Sequence, residues 1–400
     1  MTFFEELKWR GLVKDISSPD LEEKLNNESL TFYWGTDPTA DSLHLGHYSS
    51  LVTAKRLMLH GHKPILLVGG ATGLIGDPRP TAEREIISKE TVEKNIEGLK
   101  RQVTRLLDNK AEVVNNYDWT KNVTFLDFLR DIGKYINVNY MLNKDIISRR
   151  LESGITYAEF SYTLLQGFDF LHLFKNKNCT LQAAGSDQWG NITTGIELIR
   201  KIEGVEAYGF TMPLILDKTG KKFGKSEGNA LWLDKEKTSP YLIYQYLLNS
   251  DDSKVIEYLK VFTFLNKEEI DALEEKVKTE PEKREAQKTL AYEVVKDLHG
   301  LEEAEKAKKT SEEVFTKGYS SEGMPSETIE YKDNMNLMDI LVMTKITTSK
   351  SEARRLIIGN GISVNNEKEL NPERIFTKEE INDLIISKGK KTHIKVNLVK

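Results

Sequence analysis

Two histidines near the amino end of the chain have the residue type and spacing to contact phosphate. His44 and His47 stand at the start of a predicted helix, where free backbone N–H groups and a partial positive charge attract anions. Gly46, between them, has no Cβ, so a flat base can lie against the backbone. The pattern also fits capping or core histidines. A metal site that adds His60 and His62 is disfavoured, because no carboxylate or cysteine stands at ligand spacing, and we predict no protein-held metal.

A second stretch, residues 220–228, places two lysines and a serine between glycines: Lys222, Lys225 and Ser226. Lysine carries a compact point charge on a flexible stem, so such a loop suits a mobile clamp on phosphate. An exposed basic hairpin turn is the alternative, and it is the more common source of this pattern.

Polar residues also repeat at helical spacing further along the chain. Tyr162, Gln166 and Asp169 stand at i, i+4 and i+7, so one helix face presents all three. A polar stripe of this kind either contacts a ligand or lies in solvent. Asp187 and Gln188 follow a predicted strand and precede a predicted helix, which is where a parallel sheet presents ligand-binding groups.

The first third of the chain alternates strand-like and helix-like patterns that would position these groups. Residues 30–34 are predicted to form a strand, 46–60 a helix and 63–69 a buried strand. Such a βαβ unit indicates an α/β fold with a Rossmann-like, doubly wound parallel sheet. Further helices are predicted over 89–107, 124–133, 159–175 and 188–203, with a strand over 181–184.

Composition divides the chain into four predicted parts. Residues 1–225 are expected to form the Rossmann-like domain, and 226–318, rich in Lys and Glu with regularly spaced apolar residues, an all-helical domain. The polar residues 319–335 are predicted to be a linker. Residues 336–400 are predicted to form a small α+β domain, which contains a short basic helix over 350–358.

The chain has 400 residues, and its composition excludes several classes of protein. A single cysteine, Cys179, excludes an internal disulfide and a multi-thiolate metal site. The longest apolar stretch, residues 65–75, is too short to span a bilayer, and residues 1–10 lack a signal-peptide core. We therefore expect a cytoplasmic protein with no membrane partner.

Charge is unevenly spread along the chain. The whole carries 57 Lys and Arg against 62 Asp and Glu, a net charge of −5, whereas residues 336–400 carry 12 against 8. An acidic body with a basic tail indicates contact with a polyanion through the tail, and chance segregation of surface charge is the alternative.

Taken as a pair, the histidine and lysine stretches resemble the two signatures of class I aminoacyl-tRNA synthetases. The second signature stands here as Lys222-Phe223-Gly224-Lys225-Ser226. Residues 33–47, 68–78, 159–169 and 185–192 are similar to stretches of the bacterial tyrosyl-tRNA synthetases. The resemblance covers essentially the whole chain, including the tail, which resembles a small RNA-binding fold named after a ribosomal protein.

The resemblance implies a two-step ligase for tyrosine and tRNA. L-tyrosine and ATP would give tyrosyl-adenylate and pyrophosphate, and the tyrosyl group would then pass to the 3'-terminal adenosine of tRNA(Tyr). Magnesium would arrive with ATP, since the sequence shows no dedicated cage of protein ligands. A homodimer is expected from the family. The apolar residues Phe128, Leu129, Ile132 and Tyr135 are candidate contacts, although core burial would explain them equally well.

The resemblance also implies a role for each candidate residue. Tyrosine would be held by Tyr33 and Asp169 at its hydroxyl, by Asp77, Tyr162 and Gln166 at its ammonium group, and by Gln188 at its carboxylate. ATP would be bound by Gly35, Asp37, Gly46, Ser50, Asp187 and Lys225, and the groups acting on its phosphates would be Thr39, His44, His47, Lys222, Lys225 and Ser226. In the tail, Lys350, Arg354 and Arg355 would meet the RNA backbone.

Four positions depart from the usual pattern of the family. Trp34 stands where a cysteine often contacts the ribose of ATP, and an indole cannot imitate that contact. Phe223-Gly224 replaces Met-Ser in the lysine signature, and Ala184 replaces a common glycine.

Three alternative functions share parts of the sequence pattern. A tryptophanyl-tRNA synthetase has the same fold and first signature, but Tyr33, Asp169 and the basic tail favour tyrosine. A smaller nucleotidyltransferase with the same histidine signature lacks the helical region and the tail. A non-catalytic RNA-binding relative would be expected to lose the histidines or the lysines, and this chain keeps all of them.

Overall fold

The chain forms two compact units in the computed structural model. The first comprises residues 1–234 with 260–262, and the second residues 235–259 with 263–400. The structure describes residues 1–78, 87–226, 229–317, 326–365, 367–382, 384–389 and 392–399, with the backbone alone at 225, 226, 229, 314–317 and 392. Within these ranges no helix is both long and apolar enough to cross a bilayer.

The first unit is built on a six-stranded sheet. Its strands are β1 (Asp15–Ile16), β2 (Thr31–Thr36), β3 (Lys63–Val68), β4 (Glu112–Asn115), β5 (Cys179–Gly185) and β6 (Tyr208–Met212). Their order is β1-β6-β5-β2-β3-β4, and β1 pairs antiparallel with β6 while the other pairs are parallel. The doubly wound α/β fold is thereby confirmed. A two-stranded antiparallel ribbon, β7 (Lys225–Ser226) and β8 (Asn229–Ala230), follows.

Eleven helices of the described chain precede or flank these strands. They are α1 (Phe3–Trp9), α2 (Asp20–Asn27), α3 (Leu45–Leu59), α4 (Thr72–Ile75), α5 (Lys89–Leu106), α6 (Tyr117–Thr120), α7 (Phe125–Asp131), α8 (Val138–Leu142), α9 (Asp145–Leu151), α10 (Tyr157–Lys177) and α11 (Trp189–Glu203). Local chemistry sets their ends. The Ser88 and Thr156 side chains accept hydrogen bonds from the first turns of α5 and α10, and Gly204 ends α11 in the left-handed conformation.

The parallel strands bring distant parts of the sequence to one edge of the sheet. Because β2, β3 and β5 are parallel neighbours, their carboxyl ends at Thr36, Val68 and Gly185 lie side by side. The candidate residues that follow these strands, among them Asp37 and Gln188, therefore gather at this edge.

The second unit begins with helices. They are α12 (Pro240–Leu248), α13 (Asp252–Phe262), α14 (Lys267–Thr279), α15 (Glu285–His299) and α16 (Leu301–Lys317), and the last turn of α13, residues 260–262, is grouped with the first unit. Ser239 and Asn266 cap α12 and α14 with their side chains. The all-helical region expected from the Lys- and Glu-rich sequence is present.

The tail is a small α+β fold with its own core. Its helices are α17 (Leu337–Met343), α18 (Lys350–Ile358) and α19 (Lys378–Ile381), and its strands are β9 (Ser326–Ile329), β10 (Ile362–Val364), β11 (Glu367–Lys368), β12 (Leu384–Lys388) and β13 (Thr392–Leu398). The sheet order is β11-β10-β12-β13-β9. One apolar cluster drawn from residues 329–396 fills the space beneath the helices. Strand β9 lies within 319–335, the stretch predicted to be a linker, and it pairs with β13.

Candidate active site

The two signature histidines open helix α3 in a reciprocal arrangement. Nδ1 of His44 accepts a hydrogen bond from the Gly46 backbone N–H (3.1 Å), and Nδ1 of His47 accepts one from the His44 N–H (3.3 Å). The two rings stack with centroids 3.8 Å apart. A ring whose Nδ1 accepts carries its hydrogen on Nε2, so both imidazoles are hydrogen-bond donors at a helix amino end.

The lysine stretch lies directly against the start of α3. A Cβ on Gly224 would stand 2.5 Å from the Gly46 nitrogen and 2.9 Å from the Leu45 carbonyl carbon, and the φ of Gly224 is +90°. The Gly224 carbonyl accepts from Leu231 N–H (3.1 Å), and the Leu231 carbonyl accepts from Leu45 N–H (2.7 Å). Glycine is thus required at position 224, where the usual signature has serine.

Lys222 adds its charge to the histidine pair. Loss of solvation, and to a smaller extent the neighbouring His44 and Lys222, lower the pKa of His47 to about 3. His47 is therefore a neutral hydrogen-bond donor at physiological pH. The side chains of Lys225 and Ser226 lie outside the described part of the chain.

Two buried polar atoms of the sheet have no hydrogen-bond partner among the described residues. They are Tyr33 Oη and Gln182 Oε1. Tyr33 and Gln182 are in register on the parallel strands β2 and β5, so both side chains leave the sheet on the same face. Because buried polar groups are normally hydrogen-bonded, this pair indicates a place that the polar groups of a ligand fill.

Asp169 on α10 faces the same place. Its carboxylate is 2% exposed and accepts hydrogen bonds from Trp119 Nε1 and Asn116 Nδ2, both at 2.9 Å. Burial raises the pKa of Asp169, and the two hydrogen bonds oppose this increase. The resulting pKa is about 7. The ring of Phe170, the next residue after Asp169, lies 5.4 Å from the Tyr33 ring between centroids. Burial, and to a smaller extent the charge of Asp169, raise the pKa of Tyr33 well above its usual range.

A second polar cluster joins α10 to α11 and to the loop after α4. Asp77 accepts from Gln188 Nε2 (3.0 Å) and from Asn191 Nδ2 (3.2 Å), and Asn191 Nδ2 also approaches Gln166 Oε1 at 3.0 Å. The cluster therefore presents one carboxylate and several amide oxygens, a set of acceptors that suits an ammonium group.

Tyr162 joins α10 to the loop that follows β2. Its Oη donates to Asp37 Oδ2 (2.9 Å), and Thr72 Oγ1 donates to the other oxygen, Asp37 Oδ1 (2.8 Å). Asn116 Nδ2 lies within hydrogen-bond distance of both Thr72 Oγ1 and Asp169 Oδ2, each at 2.9 Å. One hydrogen-bonded chain thus runs from Tyr162 through Asp37, Thr72 and Asn116 to the buried Asp169 carboxylate.

The remaining candidates lie at the rim of the same edge. Gly35, Thr39 and Asp187 are exposed, and Ser50 Oγ donates to the His47 carbonyl at 2.9 Å. Trp34 is buried, on the face of β2 opposite Tyr33. Its ring is therefore part of the core beneath the sheet.

Five residues of these clusters were not among the sequence candidates: Thr72, Asn116, Trp119, Gln182 and Asn191. Asn191 stands one helical turn beyond Gln188, so helical spacing was an available signal. Asn116 and Trp119 reach Asp169 across about 50 positions of sequence, and nothing local marks them.

The basic residues of the tail helix are exposed, and two of them are ion-paired. Lys350 Nζ lies 2.5 Å from Asp339 Oδ1, and Arg354 Nη1 lies 3.3 Å from Glu373 Oε1. Arg355 is exposed on the same helix. Exposed ion pairs of this kind are weak, so the basic groups are available to exchange their partners for phosphate.

The chain resembles known proteins over nearly its whole length. Residues 25–316 match the family model of tRNA synthetases class I (W and Y), and residues 316–396 match that of the tyrosine–tRNA ligase SYY-like C-terminal domain. The chain is 46% identical to tyrosine–tRNA ligase 1 of Bacillus subtilis and 48% identical to tyrosine–tRNA ligase of Bacillus pumilus, with 98% of both chains covered in each case.

Solved structures show the same relationship. A C-terminally truncated mitochondrial tyrosyl-tRNA synthetase of Coccidioides posadasii superposes with a TM-score of 0.69 at 33% identity, covering 77% of this chain and 91% of that one. A tryptophanyl-tRNA synthetase of Encephalitozoon cuniculi gives a TM-score of 0.56 at 15% identity, covering 76% of this chain and 87% of that one. At that identity the second likeness concerns the fold alone.

Proposed function

We propose that each step of tyrosine activation has its own group of residues in this chain, which belongs to the class I tyrosine–tRNA ligases. The enzyme joins L-tyrosine to ATP and then transfers the tyrosyl group to tRNA. In the first step a tyrosine carboxylate oxygen forms a bond to the α-phosphorus, and the bond to the β-phosphate oxygen breaks, which releases pyrophosphate. The observation that carries the assignment is the contact of Gly224 with the start of α3, which brings both signatures to one place.

Tyr33 and Asp169 form the proposed hydroxyl anchor. The unpartnered Tyr33 Oη and the buried Asp169 carboxylate lie close together, and a phenolic hydroxyl placed between them satisfies both. Phenylalanine leaves these buried groups without a partner, which costs binding free energy. The anchor therefore selects tyrosine.

The acceptor cluster is the proposed site of the ammonium group. Asp77, Tyr162 and Gln166 surround it, and Gln188, which already donates to Asp77, is placed to donate to the tyrosine carboxylate. Holding both ends of the amino acid fixes the attacking oxygen with respect to ATP, and this positioning lowers the entropy cost of reaction.

The phosphates of ATP meet the histidines and the lysine loop. We assign His44, His47 and Thr39 to one side of the triphosphate and Lys222, Lys225 and Ser226 to the other. The reaction needs no side chain as a covalent nucleophile, because the tyrosine carboxylate itself attacks the phosphorus. The protein contributes preorganised donors, which stabilise the charge that develops on the leaving pyrophosphate. Asp187 and Ser50 are assigned to the ribose, and the backbone at Gly35, Asp37 and Gly46 to the nucleotide. Magnesium enters bound to ATP as part of the substrate.

Tyrosine binding should depend on pH through Asp169. An ionised carboxylate accepts the hydrogen bond of the phenol more strongly than a protonated one does. Because the pKa of Asp169 is raised to about 7, we expect the tyrosine dissociation constant to rise by up to roughly tenfold for each pH unit below 7. Equilibrium binding measured from pH 5.5 to 8.5 checks this. The affinity for phenylalanine should not fall with pH, because phenylalanine has no hydroxyl. The ratio of the tyrosine affinity to the phenylalanine affinity should therefore become smaller at acid pH.

The matched variant for this profile is Asp169→Asn. It should bind tyrosine weakly at every pH and give a flat profile between pH 6 and 8. His47 does not confuse the result, because its pKa is lowered to about 3 and it stays neutral in this range. A flat profile in the unmodified protein would contradict the hydroxyl-anchor role.

The tail is the proposed contact for tRNA(Tyr), through Lys350, Arg354 and Arg355. Its support is the match to the synthetase C-terminal domain and the exposed basic face of α18. We propose a division into a catalytic domain 1–225, a helical domain 226–318, a linker 319–335 and a tail domain 336–400, with the second half of the linker stretch joined to the tail through β9. We also place the enzyme in the cytoplasm, where tRNA is charged in bacteria.

A homodimer is proposed through α7. Phe125 and Leu126 on this helix are 64% and 76% exposed, and Leu129 is also exposed, whereas Ile132 is buried in the core. Phe128 and Tyr135 pack against that core as well. A cluster of exposed apolar side chains marks a protein contact surface.

Leu126→Glu should therefore convert the dimer to a monomer in sedimentation velocity measurements. In the dimer, the carboxylate of the new glutamate would be buried in the interface without a partner, and this burial costs free energy. Leu370→Glu is the control, because Leu370 is 58% exposed and belongs to the tail, in a different compact unit from α7. A monomeric unmodified protein, or equal dissociation in both variants, would rule out this surface.

Exchange of labelled pyrophosphate into ATP tests the proposed function as a whole. It should require tyrosine and should not be supported by tryptophan. Exchange driven by tryptophan, or exchange that needs no amino acid, would contradict it.

A further inference from the structure

Three aromatic rings form a column behind the lysine loop. The Phe223 ring stacks on Phe262 with centroids 4.8 Å apart and planes inclined by 25°, and Phe262 stacks on Tyr48 at 5.8 Å and 5°. Phe223 is 4% exposed, and Phe262 and Tyr48 are 1% exposed. Since Phe223 follows Lys222 and Tyr48 follows His47, the column joins the two signatures through a residue from the end of α13.

The position of Phe262 is fixed independently of the loop. The Lys260 carbonyl accepts from Arg10 Nη1 (2.9 Å), and the Val261 carbonyl accepts from Arg56 Nη2 (3.2 Å). Both guanidinium groups are buried, so these are charge-assisted bonds to the last carbonyls of a helix. Helices α1 and α3 therefore hold the last turn of α13 in place beneath the loop.

The loop itself needs an anchor. Gly224 allows the backbone to approach Gly46, but a glycine with a φ of +90° also gives the chain freedom to leave. Phe223 is the residue that opposes this freedom, because its backbone N–H donates to the Ile215 carbonyl (3.0 Å) and its ring is enclosed by Phe262.

We propose that Phe262 is a positioning residue for the activation step, which acts by holding Phe223 and with it the backbone of the loop that carries Lys222 and Lys225. The proposal rests on the assignment of these lysines to ATP made above. Phe262 acts through Phe223 and not on a reacting atom. Its replacement should therefore weaken the use of ATP without changing the affinity for tyrosine.

Phe262→Leu tests this in the full-length enzyme. The variant keeps an apolar side chain and removes the ring. Tyrosine-dependent pyrophosphate exchange at limiting ATP should fall about tenfold or more, while the tyrosine dissociation constant stays within about twofold. Phe376→Leu is the control for loss of a buried ring, because Phe376 is fully buried in the core of the tail. It should leave both quantities unchanged.

A double-mutant cycle tests the route through Phe223. Phe223→Leu added to Phe262→Leu should lower exchange little further, since the contact is already lost. Fully additive losses would overturn the proposal, as would a Phe262→Leu enzyme that behaves like Phe376→Leu. Where Phe262→Leu does not fold, Phe223→Leu alone removes the same ring stack from the loop side. It should likewise lower exchange at limiting ATP and leave the tyrosine dissociation constant within about twofold.

Lys225→Ala separates this inference from the function on which it rests. Exchange should collapse in that variant. If Lys225→Ala is fully active, the assignment of the lysines to ATP is wrong. If Lys225→Ala is inactive and Phe262→Leu is normal, the lysines act on ATP but Phe262 does not position them.

Discussion

Gly224→Ala should lower the rate of tyrosyl-adenylate formation at least about 100-fold and leave tyrosine binding nearly unchanged. The added Cβ would lie 2.5 Å from the Gly46 nitrogen and 2.9 Å from the Leu45 carbonyl carbon, which are both backbone atoms. No side-chain rotation relieves such a clash, so the loop has to move away from α3. A displacement of about 1 Å at a reacting centre is enough to cost about 100-fold in rate. Single-turnover measurement of adenylate formation checks the result.

Gly220→Ala is the matched control in the same loop. Gly220 also has a positive φ, +80°, but a Cβ there meets nothing within 4 Å. The substitution costs only backbone strain, about 1–2 kcal/mol. We expect adenylate formation within a few-fold of the unmodified enzyme. Equal losses in the two variants would show that strain and not the close approach to α3 explains the requirement for glycine.

Removal of residues 318–400 should leave tyrosine-dependent pyrophosphate exchange intact and lower the charging of tRNA(Tyr) at least about 100-fold at ordinary salt. Strand β9 pairs with β13, so a cut after residue 317 removes the tail sheet whole and does not leave an unpaired strand. The loss of several phosphate contacts accounts for a decrease of this size, since each contributes through counterion release.

The finer version of this experiment keeps the full chain. Arg355→Glu should raise the KM for tRNA and leave exchange unchanged. Lower salt should partly restore charging by this variant but not bring it to the level of the unmodified enzyme. Charging that survives the deletion at ordinary salt would mean that the tail does not bind tRNA.

The parts of the fold that local periodicity determines were predictable from the sequence. Helices α3, α5, α10 and α11 and strands β2, β3 and β5 all overlap their predicted ranges, because each carries an unbroken apolar pattern. Strands β4 and β6 were missed, since Glu112–Asn115 is short and half-buried and Tyr208–Met212 contains a glycine. Gly209 is needed there because a Cβ would lie 2.4 Å from Ile192 Cγ2.

The site likewise has residues that the sequence pattern predicts and residues that only the fold brings together. The polar face of α10 was visible as a spacing, but the same face also carries Glu159, which binds no ligand in this account and instead forms a buried ion pair with Arg150 at 3.0 Å. Sequence spacing shows which side chains share a helix face, but it does not show which residues or ligands those side chains contact. Asn116 and Trp119 come to Asp169 only through the order of strands in the sheet, so they required the fold.

The central claim is that the histidines of α3 and the lysine loop hold one triphosphate next to the anchor formed by Tyr33 and Asp169. A crystal structure with an unreactive analogue of tyrosyl-adenylate tests it most directly. The phenolic oxygen should lie within about 3.2 Å of both Tyr33 Oη and an Asp169 oxygen. The α-phosphate should lie beside the contact of Gly224 with the start of α3, facing His44 and His47. An analogue whose phenol points away from Asp169, or whose phosphate lies apart from His44 and His47, would contradict the claim.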